Sequence, residues 1–314
     1  MNAYILRRVL YMLPTIVVPM VLVFLLLRLA PGDPAAMILG DQATITQIEE
    51  LRHKMGLDRA LPIQFLTWAK GVVTLQLGES LFFHKPVLSL LAEYSVVTLH
   101  VALVAMVVAV VLGVSLGLLA AMKRDTWVDR SLVAGAVLGI SLPEFWFALL
   151  LIFLFAVTWP LFPVAGYVEM KDGLWASALS VALPALALGI RQSALMTRMS
   201  RSAMVDVLGE PYIVTARAQG LPERMVIGRY ALRMAAIPVV TIAGLTASYL
   251  ISGAVAIEMI FSLPGLGKLL IDAVSRRDYP VVEGVVLTIA VLIALLNLGV
   301  VLLYAWLDPR IRLN

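Results

Sequence analysis

Residues 281–307 read VVEGVVLTIAVLIALLNLGVVLLYAWL. Crossing the hydrocarbon of a bilayer takes roughly 20 mostly apolar residues, and this run is longer than that. Five more stretches pass the same test: 9–30, 96–122, 131–157, 174–197 and 234–257. Arg7 and Arg8 precede the first as they would a signal peptide. It is longer than a usual signal core, however, and lacks a small-residue cleavage site before PGDP at 31–34. It therefore reads as a retained helix. Composition agrees, with 61% apolar and 14% charged residues and a mean hydropathy of +0.97. A soluble domain carries about a quarter charged residues, so part of this chain's solvent is lipid.

The absence of cysteine removes disulfides, thiolate metal sites and cysteine nucleophiles. His53, His84 and His100 are scattered, without the spacing of metal ligands. A net charge of +4 gives no support to nucleic-acid binding. The placement of the charge says more. The N-terminal side of six spans carries Arg7, Arg8, Lys123, Arg124, Arg130, Arg198, Arg201, Arg217, Arg224, Arg229, Arg233, Arg310 and Arg312. The longer loops opposite carry fewer: Arg52, Lys54, Arg59, Lys70, Lys85, Lys171, Lys268, Arg276 and Arg277. The positive-inside rule then puts both termini in the cytoplasm. The expected organisation is a cytoplasmic N-terminus and first span over 1–30, then an outer helical segment over 31–95. A five-helix core over 96–307 includes a cytoplasmic loop at 198–233, and a cytoplasmic tail covers 308–314.

The outer segment is patterned rather than a spacer. Ile45, Ile48, Leu51 and Met55 recur at helical spacing, Thr46 with Glu49 fits a capping box, and Gly56 fits a stop. Pro62 opens a second helix over 63–70, whose Phe65, Leu66 and Trp68 suit a membrane surface. Such a segment is either a small helical cap or a contact for an external delivery protein.

The loop at 198–233 continues the helical periodicity of the fourth span. Glu210-Pro211 marks a start, since proline is tolerated in a first turn. A short helix over 211–219 then ends at Gly220. Leu221-Pro222-Glu223 starts another, which carries Arg224, Arg229 and Arg233 towards the fifth span. A short helix broken at both ends and held between two spans can dock as a rigid knob in a partner's groove. The other reading is a solvated basic loop that only sets topology.

At this loop a resemblance becomes specific. YIVTARAQGL at 212–221 and ALRMAAIPVVT at 231–241 resemble the coupling loop of ABC importer permeases, in particular the dipeptide, oligopeptide and nickel subfamily. PGDP at 31–34, SLPEFW at 141–146, EMIFSLPGLG at 258–267, RDYPVV at 277–282 and DPRIR at 308–312 follow in that family's order across nearly the whole chain. Of the broad importer motif, Ala216, Gly220 and Leu232 keep their places. Gln76 of LQLGES at 75–80 stands where the family usually shows an acidic residue.

The resemblance implies an all-α, polytopic membrane protein with six transmembrane helices in the type I ABC importer permease fold. It sits among the lipids of a bacterial or archaeal inner membrane. Glu210, Pro211, Tyr212, Thr215, Ala216, Arg217, Gly220 and Leu221 are the expected ATPase-coupling residues. The implied partners are a second, related permease, two ATP-binding subunits and a solute-binding protein. ATP and magnesium belong to the partners, and this chain is not an enzyme and holds no cofactor. Its own residues agree: no G-x-x-x-x-G-K-[ST] phosphate loop occurs, and Ser262 stands where GLGK at 265–268 would need the first glycine. The expected cargo is short peptides, with nickel or a glutathione-like solute as the alternative.

Three polar residues in the spans are candidates. Glu144 follows Pro143 in the third span, where an ionisable group faces protein or water by default. It could attract an amino group or a cation, or, protonated or hydrogen-bonded, lock helices together, since Pro143 frees a backbone carbonyl that needs a partner. Ser252 and Asn297 are further path candidates, although Asn297 also suits an interhelical hydrogen bond. Arg191 is expected to snorkel to the inner interface. Gly113, Gly117, Gly244, Ser248, Ser252 and Gly253 suit close helix packing, and Trp159, Trp175 and Tyr279 suit interfacial anchors. An intramembrane enzyme would need a nucleophile–base pair or metal cluster at depth, and no histidine lies deep in a span. A channel or secondary transporter would share the topology without needing a docking helix.

Overall fold

The computed structural model describes residues 2–29, 32–39 and 43–307. The expected tail at 308–314, with Arg310, Arg312 and the DPRIR run, lies outside them, as does Pro31. The described residues are helical apart from turns and a single bridge between Glu79 and Pro86. In chain order the helices are α1 (Asn2–Leu29), α2 (Pro34–Leu39), α3 (Ile45–Lys54), α4 (Leu61–Val73), α5 (Val87–Met122), α6 (Trp127–Ser141) and α7 (Glu144–Ile152). They continue with α8 (Leu174–Leu208), α9 (Pro211–Ala218), α10 (Glu223–Met225), α11 (Leu232–Ser252), α12 (Val255–Ile260), α13 (Leu266–Ser275) and α14 (Tyr279–Leu307). Short π-helical turns extend α7 over Phe153–Thr158 and join α10 to α11 over Val226–Ala231.

Five stretches are long and apolar enough to cross a membrane: Leu10–Leu29, Val87–Met122, Leu174–Leu208, Glu223–Ser252 and Tyr279–Tyr304. The third expected span is not one straight helix. It is the pair α6 and α7, bent by 98°, and it makes the sixth crossing if the pair is counted as one span. The cause is local. Leu142 precedes Pro143 and takes extended angles (φ −77, ψ 133), because a residue before proline is pushed out of the helical region.

The chain divides into two compact units. Among the described residues, one holds Leu99–Leu263 and 295–307, the other Asn2–Thr98 and Pro264–Ala294. Hydrocarbon is as apolar as leucine, so helices in a bilayer need close fit and hydrogen bonds to associate. The first unit supplies that fit around α8. A Cβ added to Gly117 of α5 would lie 2.7 Å from both Ser200 Cβ and the Thr197 carbonyl oxygen of α8. Gly113, one turn earlier, is closed in the same way by Met196 and Ser193. α8 also packs against α6, α7, α11 and α12.

In the second unit, Val87, Leu90 and Leu91 of α5 meet Leu266, Leu269 and Ala273 of α13 and Val281, Val282 and Val285 of α14. Tyr279 is buried beside this core at 5% exposure, which corrects its reading as an interfacial anchor. Trp159 and Trp175 are exposed.

Two local expectations are also corrected. The capping box of α3 is Thr44 with Gln47, not Thr46 with Glu49. The cap must precede the first helical residue, here Ile45, so Thr46 is already inside the helix. α4 runs three residues past the expected end, and its Phe65 meets Phe24 of α1 edge-on and its Trp68 meets the same ring at a tilt, at centroid separations of 5.2 and 5.8 Å. An aromatic partner, not the membrane surface, takes those two rings.

Candidate functional site

The short helix between the fourth and fifth spans is α9. Glu210 takes extended angles at its N-cap, Pro211 opens the first turn, and no side chain caps it. Gly220 follows in the left-handed region (φ +78), where glycine is unstrained. Two side chains hold the helix down. Ile213 is fully buried and Ala216 nearly so, one turn apart on the same face. They sit in a cluster with Ala121 of α5, Ala203 and Met204 of α8, and Val226, Ala231 and Ala235, and Leu221 packs on its edge.

The opposite face is bare. Glu210, Pro211, Tyr212, Val214, Thr215 and Arg217 are exposed. The Thr215 hydroxyl donates to the Pro211 carbonyl at 3.0 Å, and Arg217 pairs with Glu223 at 2.8 Å. Partial burial, then the nearby Glu210 carboxylate, push the Tyr212 phenol above its ordinary range, so the ring carries a neutral hydroxyl. Sequence reasoning named Ala216 but missed its companion Ile213, which the spacing of 213 and 216 on one face could have revealed.

Arg198 and Arg201 lie on α8, which runs on past the fourth span to Leu208, in line with the helical periodicity that continues there. Arg201 grips Asp129 of α6 with two parallel bonds, Nε to Oδ1 at 2.5 Å and Nη2 to Oδ2 at 2.7 Å. Asp129 is 3% exposed and also accepts from the Asp125 backbone N–H. Such a fork fixes direction as well as distance. It ties α6 to the stretch of α8 from which α9 hangs.

Glu144 is the first residue of α7, beside the break rather than in mid-helix. Its Oε2 accepts from the Tyr249 hydroxyl of α11 at 2.9 Å, and Arg191 Nη1 of α8 reaches the same hydroxyl at 3.3 Å. Arg191 is therefore turned to a protein partner rather than snorkelling, and Glu144 joins α7 to α11 as a hydrogen-bonded helix lock would, through the Tyr249 hydroxyl rather than a freed carbonyl. The Ser252 hydroxyl is taken up by its own helix, donating to Ser248 at 2.9 Å. Asn297 is exposed on α14. The structure thus does not gather Glu144, Ser252 and Asn297 into one site.

The second unit holds a cavity of about 530 Å³ whose lining includes Arg28, Arg59, Gln64, Gln76, Glu79 and Glu283. At its wall Arg28 of α1 meets Glu283 of α14 at 2.5 Å, with the two side chains 12% and 3% exposed. Arg28 Nε also donates to Gln64 Oε1 at 2.8 Å, and its guanidinium lies 3.5 Å over the Phe24 ring. The sequence reading passed over both charges, although each is an ionisable residue inside an apolar stretch. Nearby, Ser80 of LQLGES donates to Asp278 of RDYPVV at 2.5 Å, which brings these two runs into contact. Among the described residues no three His, Asp or Glu side chains are grouped to hold a metal ion.

Two family models match. Residues 113–313 match the binding-protein-dependent transport system inner membrane component, and residues 1–90 match the N-terminal part of such components. A Brucella abortus protein provisionally named a peptide transport system permease is 41% identical over 99% of both chains. The glutathione transport system permease protein GsiC of Escherichia coli is 40% identical over 98% of both. The dipeptide transport system permease protein DppB of Alkalihalophilus pseudofirmus is 35% identical over 99% of this chain and 100% of its own. With the model match running through α9 and over most of the chain, this protein belongs to the family of binding-protein-dependent transport system inner membrane components, as a multi-pass permease subunit.

Proposed function

We propose that this chain forms half of a passage that imports short peptides, handed over by an external binding protein and driven by ATP hydrolysis on separate subunits. The other half is a second, related permease. Two ATPase subunits bind ATP and magnesium on the cytoplasmic side, where both termini of this chain lie. The observation that carries this reading is α9: two buried anchors fasten it to three spans, and its other face is bare. A helix held in that way moves with the spans, so a push on its outer face becomes a movement of α5, α8 and α11. Peptide as the cargo rests on the three relatives, whose names specify peptide, dipeptide and glutathione, itself a tripeptide.

The test is purification from the native membrane followed by reconstitution. ATP-binding subunits should co-purify, and scrambling 211–220 should release them and abolish ATP-driven uptake of dipeptides and tripeptides. Uptake that survives the scrambled loop would sink the reading.

A further inference from the structure

The cluster at the α6–α7 break has a feature that a helix lock does not need. Glu144 and Arg191 carry opposite charges a few ångströms apart, yet no ion pair joins them. The Tyr249 hydroxyl stands between, donating to Glu144 Oε2 while Arg191 Nη1 reaches its oxygen. Two buried atoms are left open: Glu144 Oε1, an acceptor, and Arg191 Nε, a donor. Both residues line the same small cavity of about 30 Å³, with Gly139, Leu142, Phe147 and Ile190. Charged groups at this depth face protein or water rather than lipid. Leaving their hydrogen bonds unmade is costly. What completes the cluster must offer a donor to the carboxylate and, a short distance away, an acceptor to the guanidinium.

We propose that Glu144 and Arg191 form a site for the free amino end of a transported peptide, with Tyr249 standing in for the ligand while the site is empty. The α-ammonium supplies the donor to Glu144, and the first peptide carbonyl, two bonds along the chain, supplies the acceptor to Arg191. The complementary charges then favour a free amine over a blocked one. In the present conformation the cavity has room only for water, so the site opens by separating its walls. The three residues sit on three different helices, α7, α8 and α11. The extended linkage at Leu142-Pro143 lets α7 move without unwinding α6. This site deepens the peptide-import reading and rests on it.

The test uses the whole importer in proteoliposomes, with the same binding protein throughout. ATP-driven uptake of trialanine and N-acetyl-trialanine is measured, and the ratio is corrected for the binding protein's own affinities for the two. Wild type should retain a preference for the free amine, by about tenfold, the scale of one hydrogen bond to a charged group. Glu144→Gln keeps the shape but loses the charge, and should bring the corrected ratio close to one. Tyr249→Phe removes the stand-in hydroxyl and should keep or raise the ratio. If Glu144→Gln preserves the preference, the site is wrong. It is equally wrong if both variants lower uptake of the two peptides by a common factor, as a purely structural network would. If wild type takes up neither peptide with ATP, the peptide-import reading fails and this site with it.

Discussion

α3 and α9 are both short helices set between apolar spans, and they are held together in opposite ways. α3, ten residues long, has a complete capping box in Thr44 and Gln47 and carries Arg52 and Lys54 in its last turn, which complement the helix dipole. None of its residues is buried. α9, eight residues long, has no side-chain cap, but Ile213 and Ala216 are buried in a cluster drawn from α5, α8 and α11. The first helix is stabilised by its caps and by a surface ion pair from Arg52 to Asp33 at 2.5 Å, the second by what it stands on. Both helices are too short to persist alone in water, and α9, without a side-chain cap, exists only as far as its buried anchors hold. That dependence is what a mechanical link requires, because a segment that can fold independently can also move independently.

The largest effect on the comparison should come from the anchor. Ile213→Asp removes a fully buried side chain, worth about 2–5 kcal/mol when cut back to alanine, and adds a charge without a partner. α9 should detach, and ATP-binding subunits should no longer co-purify with the permease. Retained assembly would mean that α9 is positioned by something other than this cluster. Asp129→Ala comes next. Losing one member of a buried ion pair costs about 3–5 kcal/mol, and the lower end applies because the Arg201 side chain is 27% exposed. Thermal unfolding of the purified complex should shift down. The double variant with Arg201→Met should recover part of the loss, since it removes the orphaned charge.

These two predictions mark where the sequence was legible. The spans were, because an apolar run such as 281–307 has only one comfortable solvent. The ends of α9 were too, because Pro211 and Gly220 act through their own backbone geometry. What escaped were facts about neighbours far along the chain. Arg28 and Glu283 are 255 residues apart, and nothing in either apolar stretch says that the other holds its counter-charge. Arg191 looked like an interface residue because depth along a helix was judged without knowing that Tyr249 stands opposite. The capping box failed differently. Thr44-x-x-Gln47 and Thr46-x-x-Glu49 are both acceptable boxes, and only the position of the first helical turn chooses between them.

That choice gives the next test, of smaller size. Thr44→Ala should cost about 1 kcal/mol, the usual value of an N-cap. The loss should stay within α3, seen as faster amide hydrogen exchange over 45–55 with the rest of the chain unchanged. Thr46→Ala should change exchange little, by about 0.5 kcal/mol or less, as for ordinary surface positions. A spread of the Thr44 effect into the spans would erase the contrast with α9, because α3 would then be tied to the bundle after all.

The smallest effect on the fold should be that of Arg217→Ala. Its pair with Glu223 is exposed, with side chains 41% and 57% accessible, and such pairs contribute about 0–1 kcal/mol. The permease should keep its melting temperature within about 2 °C, given the few degrees per kcal/mol of a chain this size. A fall in ATP-driven uptake at unchanged stability then has two sources, the local shape set by the bridge or a partner that meets the outer face of α9. The charge-swapped pair, Arg217→Glu with Glu223→Arg, separates the two cases. It rebuilds the intramolecular bridge while reversing the charge that a partner meets. If uptake returns, the bridge mattered for shape, and if it stays low, the partner reads the arginine.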